Sequence, residues 1–312
     1  MDNLKGKTAF ITGGASGIGF GIAKACAKDG MNVVVADLRR EAIDEANSFF
    51  REKGWPMHGI CLDVTDREAY REAADEAERV FGNIHLLANN AGIGCANGPL
   101  WAVSEKETDL AILVNMTAIL NGIQTIVPRM LAHGESSHVV STASKAALLV
   151  VPGCGLYNAT KSAVVGIMET LAMDLKGTNV GASVFCPGGY STSLGVSSRV
   201  VTEAHLGDDA PPPPPPPPRP KDGEEATSPF AGWDEVIRSA DDAGERVLRG
   251  VKRGDLYILT HSEFKRGVES RFNAILRAFP DEAPNPRYAE VFPILVYNDI
   301  FDKQTQVPPL GD

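Results

Sequence analysis

The chain has 312 residues, 43% hydrophobic and 22% charged, the proportions of a soluble globular protein with one large core or two modest ones. A formal net charge of -10 argues against broad nucleic-acid binding, which wants a basic surface. Five scattered cysteines without a CxxC pair argue against a disulfide framework, and six histidines without ligand spacing argue against a metal site.

The amino terminus, MDNLKGKTAFITGG, runs directly into an apolar strand and a glycine turn, so no signal peptide is expected. The runs TAFIT, NVVVAD, HGICLDV, IHLLANN, HVVSTAS and ASVFCP read as strands. Helical periodicity fills the intervals, as at residues 18–28 and 67–81, with Asp66 placed to cap the second of these. Strands alternating with helices predict βαβ units with right-handed crossovers, and continuous apolar strands predict burial on both faces. The fold class expected is α/β: a doubly wound parallel sheet, or Rossmann fold, of about seven strands with helices on both faces. The most apolar stretch, residues 110–128, is interrupted by Asn115, Asn121 and Gln124, so no membrane span is expected. Free thiols and the missing leader together predict a cytoplasmic protein.

Composition changes abruptly between residues 195 and 230, where eight consecutive prolines run from Pro211 to Pro218. Proline has no N–H to donate, so this run is expected to form a mobile, solvated polyproline II loop at 207–229. Its sharper reading is a docking peptide for an aromatic-lined groove. Beyond it, WDEVIRSADDAGERVLRGVKRG reads as one helix and DLYILTH as the seventh strand. The expected organisation is a single domain over residues 1–260. A proline-punctuated extension at 261–312 would lie on that domain or on a second subunit.

Two features of the first half point to a nucleotide. TAFITGGASGIGFGIAKA is a strand, a glycine turn and a helix, with Gly13, Gly17 and Gly19 spaced so that backbone can approach a pyrophosphate at the helix N-terminus. Asp37 ends the next strand, where a carboxylate can bind both hydroxyls of an adenine ribose and repel a 2′-phosphate. That favours NAD. Arg39 and Arg40, a few residues on, are the features that would instead clamp the phosphate of NADP.

With these motifs in place the chain resembles the short-chain dehydrogenase/reductase family. TGGASGIG (Thr12 to Gly19, including Ser16 and Ile18) matches its TGxxxGxG turn, and Asn89 to Gly92, with Ala91 between, matches its NNAG segment. Tyr157 and Lys161 match its YxxxK pair, Ser144 lies thirteen residues before the tyrosine, and Asn115 matches the tetrad asparagine. The resemblance implies that Asp63 and Val64 line an adenine pocket. It also implies that Pro187, Gly188, Tyr190 and Thr192 hold the nicotinamide carboxamide, Lys161 the nicotinamide ribose, and Asn115 a water. Within the family, the ADLR stretch, the long substrate-side loop and the extended tail are most similar to bacterial lignin-type Cα-dehydrogenases. The family is usually dimeric or tetrameric through the helices carrying Asn115 and Tyr157, which implies a homo-oligomer.

Residues four apart on a helix share a face, so Tyr157 and Lys161 are expected to project into one site. A free phenol has a pKa of ~10, and a nearby ammonium favours its phenolate. Tyr157 is thus the expected general acid/base for a secondary alcohol or ketone, and Ser144 the hydrogen-bond donor to the substrate oxygen. The apolar loops ALLVVPGCGL and GIGCANGPLW are expected to favour a hydrophobic or aromatic substrate. Lys145 is expected to make the pocket mouth cationic. The rival reading is a catalytically silent cofactor-binding scaffold that recruits a partner through the prolines. An intact Ser144–Tyr157–Lys161 set counts against it.

Overall fold

The computed structural model describes residues 1, 3–95, 98–211, 233–306, 308 and 309. Seven strands pair in one wholly parallel sheet: β1 Thr8–Thr12, β2 Asn32–Asp37, β3 Met57–Cys61, β4 Ile84–Asn89, β5 Ser137–Thr142, β6 Val180–Cys186 and β7 Tyr257–Leu259. Their order, β3-β2-β1-β4-β5-β6-β7, reverses between β1 and β4. A doubly wound sheet opens its ligand crevice at such a switch point.

The strands are apolar on both faces because each face meets a helical layer. Neighbouring residues go to opposite cores, as the pleat requires. Phe10, Val34, Val139 and Val184 enter one core with Tyr70, Val164 and Met168. Ile11, Val35, Val140 and Phe185 enter the other with Ile22, Phe50 and Val247. The helices supplying these layers are α1 Gly17–Lys28, α2 Arg40–Glu52, α3 Arg67–Phe81, α4 Glu105–Ile112, α5 Ala118–His133 and α6 Gly155–Asp174. Asp66 caps α3 as expected, accepting from the amides of Glu68 (2.8 Å) and Ala69 (3.0 Å). Such a cap is worth about 1 kcal/mol.

Continuing along the chain, α7 Leu194–Leu206 follows the sixth strand, and α8 Trp233–Val236 and α9 Ala240–Arg253 precede the seventh. The single helix expected over 233–254 is therefore two. Ser239 stops the first by capping the second through the Asp242 amide (3.2 Å), and Arg238 bridges to the Gly189–Ser191 backbone instead of continuing the helix. Helix α9 packs on α1 through facing glycines. A Cβ on Gly244 would lie 2.1 Å from the Gly21 carbonyl oxygen, and one on Gly21 would lie 1.9 Å from that of Ala240.

The helix from Glu105 through His133 is long and apolar enough to cross a membrane, yet Val114, Ala118, Ile126 and Met130 are buried inside the fold. It is a core helix. All but the first residue of the proline run lies outside the described residues. The extension comprises α10 Lys265–Arg277, α11 Arg287–Val291, α12 Pro293–Val296 and α13 Asp299–Gln306. No residue from Glu269 to Tyr297 is buried.

Candidate active site

A cleft of about 420 Å³ opens at the C-terminal ends of the strands around the switch point. One end is built by the turn after β1. Gly13 and Gly17 take φ of +61° and +52°, which side-chain-bearing residues rarely adopt, and a Cβ on Gly19 would meet the Gly13 carbonyl oxygen at 2.1 Å. The turn therefore depends on glycine for its shape. It delivers the N-terminus of α1 with no acidic residue in its first turn and no side-chain cap from Ser16. Free amides and the helix dipole there suit a phosphate.

Asp37, at the end of β2, is 6% exposed, and its carboxylate is already engaged. It accepts from the Ala15 amide (3.3 Å), the Arg39 amide (3.1 Å) and the Arg39 guanidinium (3.1 and 3.2 Å). Arg39 also donates to the Ser16 hydroxyl at 2.7 Å, so its side chain closes the outer wall of the glycine turn. Arg40 does not line the cleft. Next come Asp63 and Val64. Asp63 pairs with His205 of α7 at 3.3 Å. Helix α7 thus reaches from the Pro187–Thr192 segment to the Asp63 carboxylate, with Val201 and Leu206 packed on Ile93, Leu110 and Val114. Sequence reasoning missed His205, because nothing local marks a helix residue that meets its partner across a cleft.

The chemical end is formed by β5 and α6. Ser144, Tyr157 and Lys161 line the same wall, with Gly92, Pro187, Gly188, Tyr190 and Thr192 around them. The Lys161 ammonium donates to the Thr142 carbonyl (3.1 Å) and lies 5.7 Å from the Tyr157 ring centroid. Burial pushes the Tyr157 phenol up to about 12, against a hydrogen bond with Ser144 that pulls it down. Burial also lowers Lys161 to about 8, so it stays mostly protonated at neutrality. The ammonium expected to favour the phenolate is present, but the phenol still stands above its ordinary value, because desolvation outweighs the Ser144 hydrogen bond.

Three expected residues stand behind the cleft instead of lining it. Gly19 packs beneath the turn. Asn89 ends β4 with its side chain in the core, accepting from the Tyr70 hydroxyl and donating to Ser141 (both 3.3 Å), and it is Asn90 that faces the cleft. Asn115 is fully buried in a π-helical turn, Leu113–Thr117. It accepts from the Ile93 amide (2.8 Å) and donates to the Ile93 carbonyl (3.0 Å) and Thr160 hydroxyl (3.3 Å). It therefore fixes the strand-end loop that carries Gly92, where a Cβ would stand 3.2 Å from the Lys161 ammonium.

One other expectation is corrected. Lys145 does not line the mouth: its ammonium sits over the Phe264 ring at 4.5 Å. Tyr190 lines the cleft while its hydroxyl donates to Asp242 (2.9 Å) and its ring packs against His261. The two apolar loops pair with each other, the Gly98 amide donating to Gly153 (2.8 Å), and present Leu100, Trp101 and Val150 outward at 62%, 89% and 80% exposure. Among the described residues no His/Cys/Asp/Glu cluster could hold a metal.

The family model "short chain dehydrogenase" matches residues 7–200. A C alpha-dehydrogenase of Sphingobium sp. strain SYK-6 is 34% identical over 290 residues, covering 93% of this chain and 92% of the relative. A short-chain dehydrogenase/reductase from Burkholderia phymatum, solved in complex with NAD, superposes with a TM-score of 0.78 at 32% identity, covering 91% and 99% of the two chains. A short-chain dehydrogenase from Burkholderia cenocepacia in complex with NADP superposes at 0.65 with 27% identity, covering 82% and 96%.

Proposed function

The chain belongs to the short-chain dehydrogenase family, and from that membership we propose that it interconverts a hydrophobic or aromatic secondary alcohol and its ketone, using NAD in preference to NADP. One observation carries the reading: Ser144, Tyr157 and Lys161 share a cleft with the glycine turn after β1. The residues fit a dinucleotide, because Gly13 and Gly17, both at positive φ, line the cleft at the uncapped N-terminus of α1. The open N-terminus of α1 would take the pyrophosphate, Asp37 the adenine ribose, Asp63 and Val64 the adenine, and Pro187 to Thr192 the nicotinamide. Nicotinamide, when bound, supplies the hydride acceptor or donor.

The chain's own residues handle the proton and the charge. Tyr157 takes the hydroxyl proton in the oxidative direction and returns it in the reductive one. Ser144 donates to the substrate oxygen as negative charge develops there, and its bond to Tyr157 aligns the two hydroxyls. Lys161, anchored on Thr142, keeps positive charge beside the phenol. Asn115 holds the loop that seats Lys161. Ile93, Val114, Leu194 and Val201 line the same cleft, which supports an apolar substrate. The free cysteines support a reducing, cytoplasmic setting, and the family's habit supports a homodimer or homotetramer through α5 and α6.

Tyr157→Phe tests the assignment. Turnover of aryl secondary alcohols should fall by at least about 100-fold while NADH binding is kept. Unchanged turnover would remove Tyr157 from the chemistry.

A further inference from the structure

The extension after β7 is fixed at both ends and bare between them. At its start, Arg271 donates to the Ala147 carbonyl (2.8 Å) and Phe264 lies under the Lys145 ammonium. At its return, Gln304 of α13 accepts from the Leu256 and Tyr257 amides (2.6 and 3.3 Å), and Asp299 pairs with Lys176 of α6. Between these anchors the segment from Glu269 to Tyr297 is exposed without exception. It is also strongly apolar. Phe279, Tyr288, Ile294, Leu295, Val296 and Tyr297 are 57–76% exposed, and twelve large apolar side chains of the extension are exposed in all.

We propose that this arm is a self-association surface, covered by a second copy of the same chain and separate from the helices through which the family usually associates. Three observations select that occupant. First, the area is right: twelve such side chains, each about half to three-quarters exposed, present on the order of 1,000 Å² of apolar surface. That exceeds the ~300–600 Å² patch a monomer tolerates and reaches the ~800 Å² per partner of a standard interface. Second, the arm is nearly neutral: residues 265–297 hold five basic and four acidic side chains, so a second copy that carries -10 is not repelled from it. A surface of this balance has almost no electrostatic pull on an anionic bilayer, which needs a basic cluster. Third, Gln304 and Asp299 tie α13 back to the start of β7 and to Lys176, so the apolar segment before them is held against the chain at both ends and presented outward.

The test is the molar mass of the full chain by light scattering at micromolar concentration, with Leu295→Glu and Phe279→Glu beside it. Both side chains are exposed within one chain, so neither change disturbs its own fold, and NADH titration checks that. The unmodified chain should associate, and each variant should have at least twofold lower mass with its NADH affinity unchanged. A monomeric unmodified chain, or an assembly whose mass both variants keep, overturns the proposal. Should either variant fail to bind NADH, hydrogen exchange on the unmodified chain decides. Amides of residues 287–297 should slow as concentration rises, and exchange independent of concentration overturns the proposal. So does binding of a monomeric chain to phosphatidylserine vesicles that Leu295→Glu abolishes, which would assign the arm to lipid.

Discussion

Arg39 lies across the carboxylate of Asp37, its guanidinium nitrogens 3.1 and 3.2 Å from the two oxygens while a third contact reaches Ser16. The pair has two consequences for cofactor choice. On the proposed reading Asp37 would recognise a ribose diol, and Arg39 would partly neutralise the charge that rejects a 2′-phosphate. Asp37→Ala should weaken NADH binding by roughly 10- to 100-fold and leave NADPH nearly unaffected, as a lost buried hydrogen-bonding carboxylate requires. Arg39→Ala should deepen the preference for NADH. Paired fluorescence titrations read both, and an NADH affinity untouched by Asp37→Ala would take the ribose away from this residue.

Ser144 carries a second prediction. Its hydrogen bond opposes the burial that leaves the Tyr157 phenol at about 12. Because the base form of Tyr157 lies on the alkaline side, alcohol oxidation should climb with pH and ketone reduction should not. Ser144→Ala should cut oxidative kcat by about 100-fold and move the pH-rate limb upward. A limb that stays in place would show that Tyr157 does not set it.

Acid stability should depend on His138. Fully enclosed between Gly181 and Ser183, its ring is held neutral by burial and its pKa pushed down to about 3. The unfolded chain takes up this proton near 6.5 and the folded chain does not, so stability falls as pH drops below 6.5 toward 3. The slope is at most about 1.4 kcal/mol per pH unit for one such group. Denaturant unfolding between pH 7 and pH 5 should show a shallower decline for His138→Gln than for the unmodified chain. Parallel declines would mean that other groups carry the acid sensitivity.

The α1–α9 contact makes a steric prediction. Gly244→Ala places a methyl 2.1 Å from the Gly21 carbonyl oxygen, which only separation of the two helices relieves. The cost should be at least about 2 kcal/mol in urea unfolding, although alanine is the better helix former. A neutral or stabilising change would show that the helices are not in contact there.

Much of this molecule was legible because its signals are local. Most strands carry an apolar run of two to four residues, and a strand followed by a glycine turn and a helix can be read within twenty residues. Ser144, Tyr157 and Lys161 also stand close together in sequence, and a single strand-helix unit delivers them to one wall. What escaped depends on distant partners. Tyr70 and Ser141 draw Asn89 inward, Phe264 draws Lys145 aside, and Asp63 meets His205 only because α7 folds back over the cleft. The break at Ser239 was missed for a different reason: the surrounding helical periodicity masks a one-residue cap.

The most direct measurement is a fluorescence titration of the purified chain with NADH and, separately, NADPH. The account predicts saturable binding of one dinucleotide per chain, tighter for NADH, with Asp37→Ala erasing the difference. Failure of both dinucleotides to bind would contradict it at its root, since the glycine turn, Asp37 and the Tyr157–Lys161 wall would then share a cleft for some other purpose.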